Sequence, residues 1–489
     1  MKLRSIVFLA SIMLAGCAAP TQLPLRELHR PPLAALSRSP YPNLKLGLDS
    51  LLADSLFPPS NAGIKIVSLT RHETLYELNQ DMLFNPASNN KLFTAAAALT
   101  YLGESFPLKT LVLADTSEHL LSVRGCGDPM LTTADLDSLA GLIRQKIRPE
   151  KIWRLRGDIS YFDDIYWGAG WRWDQEPSSY GMFVSPIILN NNTVNVRVLP
   201  GLKPGDPPLV SLNPPTDYLS VENGAITVAD TVRKPLDVSR RWRERSNVVT
   251  VQGEVLLTNH GSRTSLSVWK PELYAMTVLA EKLKEKGLRI SSIETDTIRA
   301  AGMEIASYSH RLDSTVTFMN KASDNLTAEV LLKILAAEKN GNPGSAAAGT
   351  SAVSAYLNGI GIDTTKIAQA DGSGLSRYNL TSPSVIIRLL QAMERDSLHF
   401  PAFYSSLPIA GVDGTIAKRM RGTRAEGNLR AKTGSLSAVS ALSGYVRTVD
   451  GELLAFSVLM QNFPGSVRGY SATQDRIGIL LSEIRRRDF

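Results

Sequence analysis

Between Phe84 and Leu102 the chain reads FNPASNNKLFTAAAALTYL, which sets a serine and a lysine one helical turn apart at the mouth of an alanine-rich helix. Pro86 and Ala87 lead in, Ser88 begins the turn, Lys91 follows three residues later, and Leu92 to Leu102 carries strong helix formers. Residues at i and i+3 share a helix face, so the two side chains can touch. A serine hydroxyl becomes a useful nucleophile when a neighbouring base takes its proton. That base would be a neutral lysine, which needs burial or nearby positive charge to lose its proton at pH 7. The helix N-terminus supplies part of that charge, and the fold has to bring the rest.

The same spacing recurs at Ser267 to Lys270, but that copy runs straight into Pro271, and the residue before a proline is pushed out of the helical region. Two other short stretches matter more. Ser323-Asp324-Asn325, in MNKASDNLTAE, lies at a loop that enters a helix; alone, these residue types also suit a helix N-cap. Lys432-Thr433-Gly434, in LRAKTGSLSAV, reads as part of a strand, where alone it could be an edge lysine followed by a small turn residue.

A length of 489 residues allows two or three domains, and 43% hydrophobic with 20% charged residues is ordinary globular composition. Met1 to Cys17, MKLRSIVFLASIMLAGC, has a basic start, a short apolar run and small residues before a cysteine, the layout of a secretory signal too short to span a bilayer. Leu14-Ala15-Gly16-Cys17 resembles a bacterial lipobox, which implies cleavage before Cys17, lipidation of that residue and a periplasmic protein anchored to a membrane. The formal charge is +7; without Lys2 and Arg4 of the leader, 51 basic residues face 46 acidic ones, a net +5. That is too mild and dispersed for nucleic acid, though it fits an anionic surface such as a cell wall. Prolines 20, 24, 31, 32, 40 and 42 make residues 17–45 a tether. Cys126 then has no disulfide partner and reads as a small buried residue. The six histidines show no metal-ligand spacing and no glycine loop cradles a phosphate, so neither metal nor cofactor is expected.

Ile64 to Leu69 and Thr74 to Leu78 read as a strand pair leading into the Ser88 helix, the first part of a domain at 46–102. From 103 to 305 short strands dominate (Lys109 to Leu113, Leu120 to Arg124, Thr193 to Val198, Ser246 to Val255), with helices near Thr133 to Lys146 and Pro271 to Lys286. All six tryptophans fall here, so this is an inserted segment of mixed α and β character, and the YWGAGWRWD cluster reads as core or interdomain packing before it reads as a sugar or peptide platform. From 306 to 489 helices return at Leu326 to Glu338, Ser345 to Leu357 and Ser384 to Arg395. Strands at Leu429 to Gly434, Ala441 to Val446 and Leu453 to Met460 and a final amphipathic helix, Thr473 to Arg486, close the chain.

SxxK, SDN and KTG, in that order and on a helix start, a loop and a strand, form the signature set of penicillin-binding proteins and class A β-lactamases. The chain resembles in particular the D-alanyl-D-alanine carboxypeptidase and endopeptidase family, the class C low-molecular-mass penicillin-binding proteins, where a long insertion parts the first two motifs; here about 230 residues do so. Further matches are Gly127-Asp128-Pro129, Leu131-Thr132, Gly157-Asp158, GWRWD, the Asp371 to Arg377 run and Gly411 to Thr415. The resemblance covers about 46 to 489 and departs from the family at Cys126. It implies an α+β fold, a β-lactamase/transpeptidase-like domain with an antiparallel sheet between helices, interrupted by a large mixed α/β insertion.

The same resemblance implies a serine DD-peptidase acting on peptidoglycan stem peptides and acylated by β-lactams. Ser88 would attack the carbonyl of the penultimate D-alanine. Lys91 would be its base, kept neutral by like-charge repulsion from Lys432. Ser323 would relay the proton, and Asn325 would hold Lys91 and the substrate amide. Lys432 and Thr433 suit the terminal carboxylate, Gly434 lets substrate lie close to the strand, and the backbone N–H groups of Ser88 and Ser435 would form the oxyanion hole. Asp163 or Asp164 is a candidate reader of the stem peptide's diamino acid. A wall-binding or β-lactam-sensing protein without turnover is the alternative; a β-lactamase is disfavoured by the large insert.

Overall fold

The computed structural model describes residues 41–54, 57 and 60–486. The leader, Cys17 and the tether as far as residue 40 lie outside the described residues. A five-stranded antiparallel sheet forms the centre, in the order Arg430–Leu436, Val439–Arg447, Leu453–Gln461, Asn61–Ser68, Glu73–Leu78. Its two middle strands from the C-terminal part are buried on both faces, which is why they read as unbroken apolar runs such as LLAFSVLM. On one face the helices Pro42–Leu52 and Arg468–Glu483 cover Leu442, Val446, Phe456 and Val458. On the other, the helices Lys91–Leu102, Asn325–Asn340 and Pro383–Arg395 pack over Ala441, Tyr445, Ala455 and Leu459. Small side chains let the Lys91–Leu102 helix run through the middle of this core, with every residue from Lys91 to Leu99 buried.

The chain leaves this domain after Leu102 and returns to it at the Leu312–Ala322 helix. Between them a mixed sheet runs in the order Arg289–Asp296, Ile152–Asp158, Leu120–Gly125, Pro107–Asp115, Met303–Arg311, covered by the helices Thr133–Lys146 and Pro271–Glu285. Thr132 and Asp135 cap the first of those helices reciprocally. Smaller sheets built from residues 193–267 complete the insert.

Several details differ from the sequence reading, among them an unread helix at Leu312–Ala322. The Pro42–Leu52 helix begins inside the expected tether, with proline at its first turn. A strand straddles the expected boundary at 305 and runs on to Arg311. Ser246 to Val255 is two strands parted at Gly253, whose φ of +96° and missing Cβ let Pro235 O approach to 2.2 Å of the Cβ position. The last helix ends at Glu483, short of Arg486.

Candidate active site

Ser88 sits in a one-turn 3-10 segment, Ala87–Asn90, that feeds the Lys91–Leu102 helix. Ala87 holds a φ of +45°, a conformation that an L side chain adopts only under constraint. Asn85 supplies the constraint. Its Oδ1 accepts the Ala87 N–H at 2.9 Å, and its Nδ2 donates to the carbonyls of Ser376 (3.2 Å), Arg377 (3.3 Å) and Asn379 (3.0 Å). The loop that carries those carbonyls fits tightly against the turn: a Cβ on Gly374, at φ +85°, would lie 1.8 Å from Ala87 O.

Lys91 is fully buried, and its Nζ donates to Ser88 Oγ at 3.1 Å, Asn325 Oδ1 at 2.7 Å and Ser373 O at 2.7 Å. Burial lowers its pKa from 10.5 to about 8, against the upward pull of Asp324, Asp371 and Glu329. Lys432 is also fully buried, donating to Ser323 Oγ at 2.8 Å and Thr433 O at 2.9 Å. Burial holds its amine well below the ordinary value, and the Lys91 charge pushes the same way. Burial is the first cause at both amines, with the like-charge repulsion between Lys91 and Lys432 added to it.

Ser323 takes the left-handed conformation (φ +57°) as it closes the Leu312–Ala322 helix, and Asp324 caps the next helix by accepting the Thr327 N–H. The N-cap and the site motif are therefore one feature. Asn325 Nδ2 reaches across to Tyr180 O of the insert at 2.9 Å. Thr433 Oγ1 donates to Thr415 Oγ1 at 2.7 Å, which explains part of the Gly411 to Thr415 match. At Gly434 the missing Cβ is taken up by Pro86 O, 2.6 Å from the Cβ position, so the first partner that this glycine admits is the nucleophile turn and not substrate. Ser435 is exposed and, with Ser88, Tyr180, Asn325, Gly374 and Arg377, lines a pocket of about 280 Å³. Among the described residues, then, Ser88, Asn325 and Ser435 line one opening; Lys91 is hydrogen-bonded to the first two, and Lys432 to Ser323 and to the Thr433 carbonyl. Such a site can activate a hydroxyl, hold a carboxylate and pass a proton along a hydroxyl relay.

Two supporting residues escaped the sequence reading: Asn85, and Glu329, whose buried carboxylate accepts the N–H groups of Gly372 and Ser373. Asp371, which opens the run matched in the sequence, accepts from Gly374 N, Ser376 N and Trp171 Nε1. Burial and the Asp371 charge push the Glu329 carboxyl up to about 7. Trp171 thus bridges insert and site loop, a packing role, while Trp173 of the same cluster stays exposed. Asp163 is already engaged: Lys333, itself buried, donates to it at 2.5 Å, which removes it as a free reader of substrate, while Asp164 stays exposed without contact to the pocket. Burial raises the Cys126 thiol to about 11, in keeping with packing. Of the second serine-lysine pair, Ser267 ends a strand and Lys270, at φ +51°, caps the helix that starts at Pro271, so the two do not share a helical turn.

Residues 44–480 match the D-Ala-D-Ala carboxypeptidase 3 (S13) family. A D-alanyl-D-alanine carboxypeptidase of Actinomadura sp. is 32% identical over 481 residues, spanning 93% of this chain and 87% of its own. One from Haemophilus influenzae is 29% identical over 421 residues, spanning 83% and 86%. The crystal structure of penicillin-binding protein 4 from H. influenzae superposes with a TM-score of 0.77 at 25% identity, over 88% of this chain and 97% of that one. The same protein complexed with a β-lactam gives 0.72.

Proposed function

Because the chain belongs to the D-Ala-D-Ala carboxypeptidase 3 (S13) family, we propose that it cleaves peptidoglycan stem peptides through an acyl-enzyme on Ser88. It is a serine-type D-Ala-D-Ala carboxypeptidase with the β-lactamase/transpeptidase-like α+β fold. The observation that carries the assignment to Ser88 is the Lys91 amine at 3.1 Å, buried and lowered to about 8. Neutral Lys91 takes the Ser88 proton as Oγ bonds to the carbonyl carbon of the penultimate D-alanine, and the oxyanion faces the backbone N–H groups of Ser88 and Ser435. The proton then passes by way of Ser323 Oγ to the leaving amide nitrogen, the C–N bond breaks, and D-alanine departs. Water hydrolyses the ester. An incoming carboxylate raises the proton affinity of Lys432 and is held by that amine, with Thr433 Oγ1 adding a hydrogen bond.

A β-lactam follows the same first step, but its leaving nitrogen stays attached and the described residues offer no separate deacylation base, so the adduct persists. The same pocket takes a cross-linked dimer when the leaving amine belongs to a second stem, giving DD-endopeptidase activity. Leu14-Ala15-Gly16-Cys17 supports a periplasmic protein held to a membrane by lipid on Cys17; among the described residues no helix is long and apolar enough to cross one. A Cys17→Ala variant should leave the membrane fraction, and retention would refute the anchor. Incubating wild type and Ser88→Ala with a dimeric muropeptide tests the activity: wild type should yield free D-alanine and monomer, Ser88→Ala neither. Binding of penicillin without either product would favour the sensor reading.

A further inference from the structure

Beside the catalytic pocket lies a groove of about 440 Å³ that shares Arg172 and Gln175 with it. Trp171, Trp173 and Trp242 give it aromatic walls, and Arg172, Arg243 and Arg245 give it charge. The rings of Trp173 and Trp242 lie 5.6 Å apart with Trp173 73% exposed, a costly display of apolar surface. Arg243 is stacked over Trp242 at 5.1 Å and Arg245 over Trp269 at 5.3 Å, which orders both guanidiniums. The one acidic lining residue, Glu176, is held by the buried Arg240 at 2.8 Å. Other ion pairs nearby are Arg172 with Asp174, and Arg241 with Glu222 and Glu244; among the described residues none pairs directly with Arg243 or Arg245, although the Arg245 charge also acts on Glu176. The groove is therefore aromatic, cationic and continuous with the opening over Ser88.

A pocket of about 280 Å³ is too small for a muropeptide, so most of the acyl half of the substrate must leave it. We propose that the groove receives the sugar-proximal half of the same stem peptide, with the muramyl ring on the indole faces and the free glutamyl carboxylate on Arg243 and Arg245. The inference rests on the DD-peptidase reading of the Ser88 pocket. It turns a wall of the insert into a device that favours polymeric substrate over short peptides.

The test compares kcat/KM for a disaccharide pentapeptide and for diacetyl-L-lysyl-D-alanyl-D-alanine, in wild type, an Arg243→Glu/Arg245→Glu double variant and Trp242→Ala. Penicillin acylation of Ser88 reports folding. Each variant should lose about 5- to 20-fold on the disaccharide pentapeptide and stay within about twofold on the tripeptide and on penicillin. Added salt should weaken the wild-type preference. Equal behaviour on the two peptides, whether both rates hold or both fall, overturns the subsite while leaving the peptidase assignment standing. A wild type that releases D-alanine from neither peptide refutes the peptidase assignment itself, and the subsite with it. As a binding check, penicillin-acylated wild type should bind N-acetylmuramyl-L-alanyl-D-glutamate by tryptophan fluorescence, and the double variant should not; no binding to wild type counts against the subsite.

Discussion

If neutral Lys91 is the base, the rate of Ser88 acylation must follow the titration of that amine. With a pKa of about 8 instead of 10.5, the neutral fraction at pH 7 is about 9% against about 0.03%, an advantage of about 300-fold. The second-order rate of acylation by a fluorescent penicillin should rise about tenfold from pH 6 to 7, about fivefold more by pH 8, and then level off. Lys91→Met should abolish the rising limb and lower the rate by about 10² to 10⁴. Glu329 titrates nearby, its carboxyl pushed up to about 7, but it faces the N–H groups of Gly372 and Ser373. Glu329→Gln should therefore keep the rising limb, with its midpoint moved below 8 because one of the charges that pull the Lys91 pKa upward is gone. The same shift has a stability consequence. Between about pH 8 and 10.5 the unfolded chain holds a proton at this lysine that the native state has shed, so the folding penalty of Lys91, about 3 kcal/mol below pH 8, is relieved as pH climbs through that window. A rate profile flat from pH 6 to 9, or one that Lys91→Met leaves in place, would refute the assignment of the base.

Three further outcomes follow from particular contacts. Gly374→Ala would force a Cβ to 1.8 Å from Ala87 O at a φ of +85°, so it should displace the Ser88 turn and cut acylation by about 100-fold; an unchanged rate would sink the claim that this loop sets the turn. Asp163→Asn breaks a pair with the buried Lys333 and should cost about 3 kcal/mol in thermal or denaturant unfolding while leaving KM for a diaminopimelate-containing stem peptide unchanged; a raised KM at unchanged stability would restore Asp163 as a substrate reader. Purified protein should release hydrolysed penicillin far more slowly than it is acylated, and rapid turnover followed by absorbance would show a deacylation base that the described residues do not reveal.

The three motifs were legible because each is local: a helix start, a helix-to-helix loop and a strand declare themselves within a few residues. What joins them is not local. Asn85 acts on carbonyls some 290 positions away, and Glu329 on a loop 43 and 44 residues on, so neither has a sequence pattern to betray it. The weight of burial at Lys91 and Lys432 was hidden for the same reason, since the number of atoms screening an amine from water is not written in its neighbours. Gly434 shows a subtler gap: a glycine beside a site suggests room for substrate, yet the nearest atom to its Cβ position belongs to Pro86. Among the elements, Leu312–Ala322 was missed because its Thr, Ser and Val residues are weak helix formers and tertiary packing overrides them. Pro42–Leu52 was hidden by the prolines before it.

The central claim is that one hydroxyl carries the acyl group. Treating the protein with penicillin, digesting it and locating the added mass by tandem mass spectrometry tests that directly. The adduct should sit on Ser88 and be absent from Ser88→Ala; an adduct on any other residue, or one that survives Ser88→Ala, would contradict it.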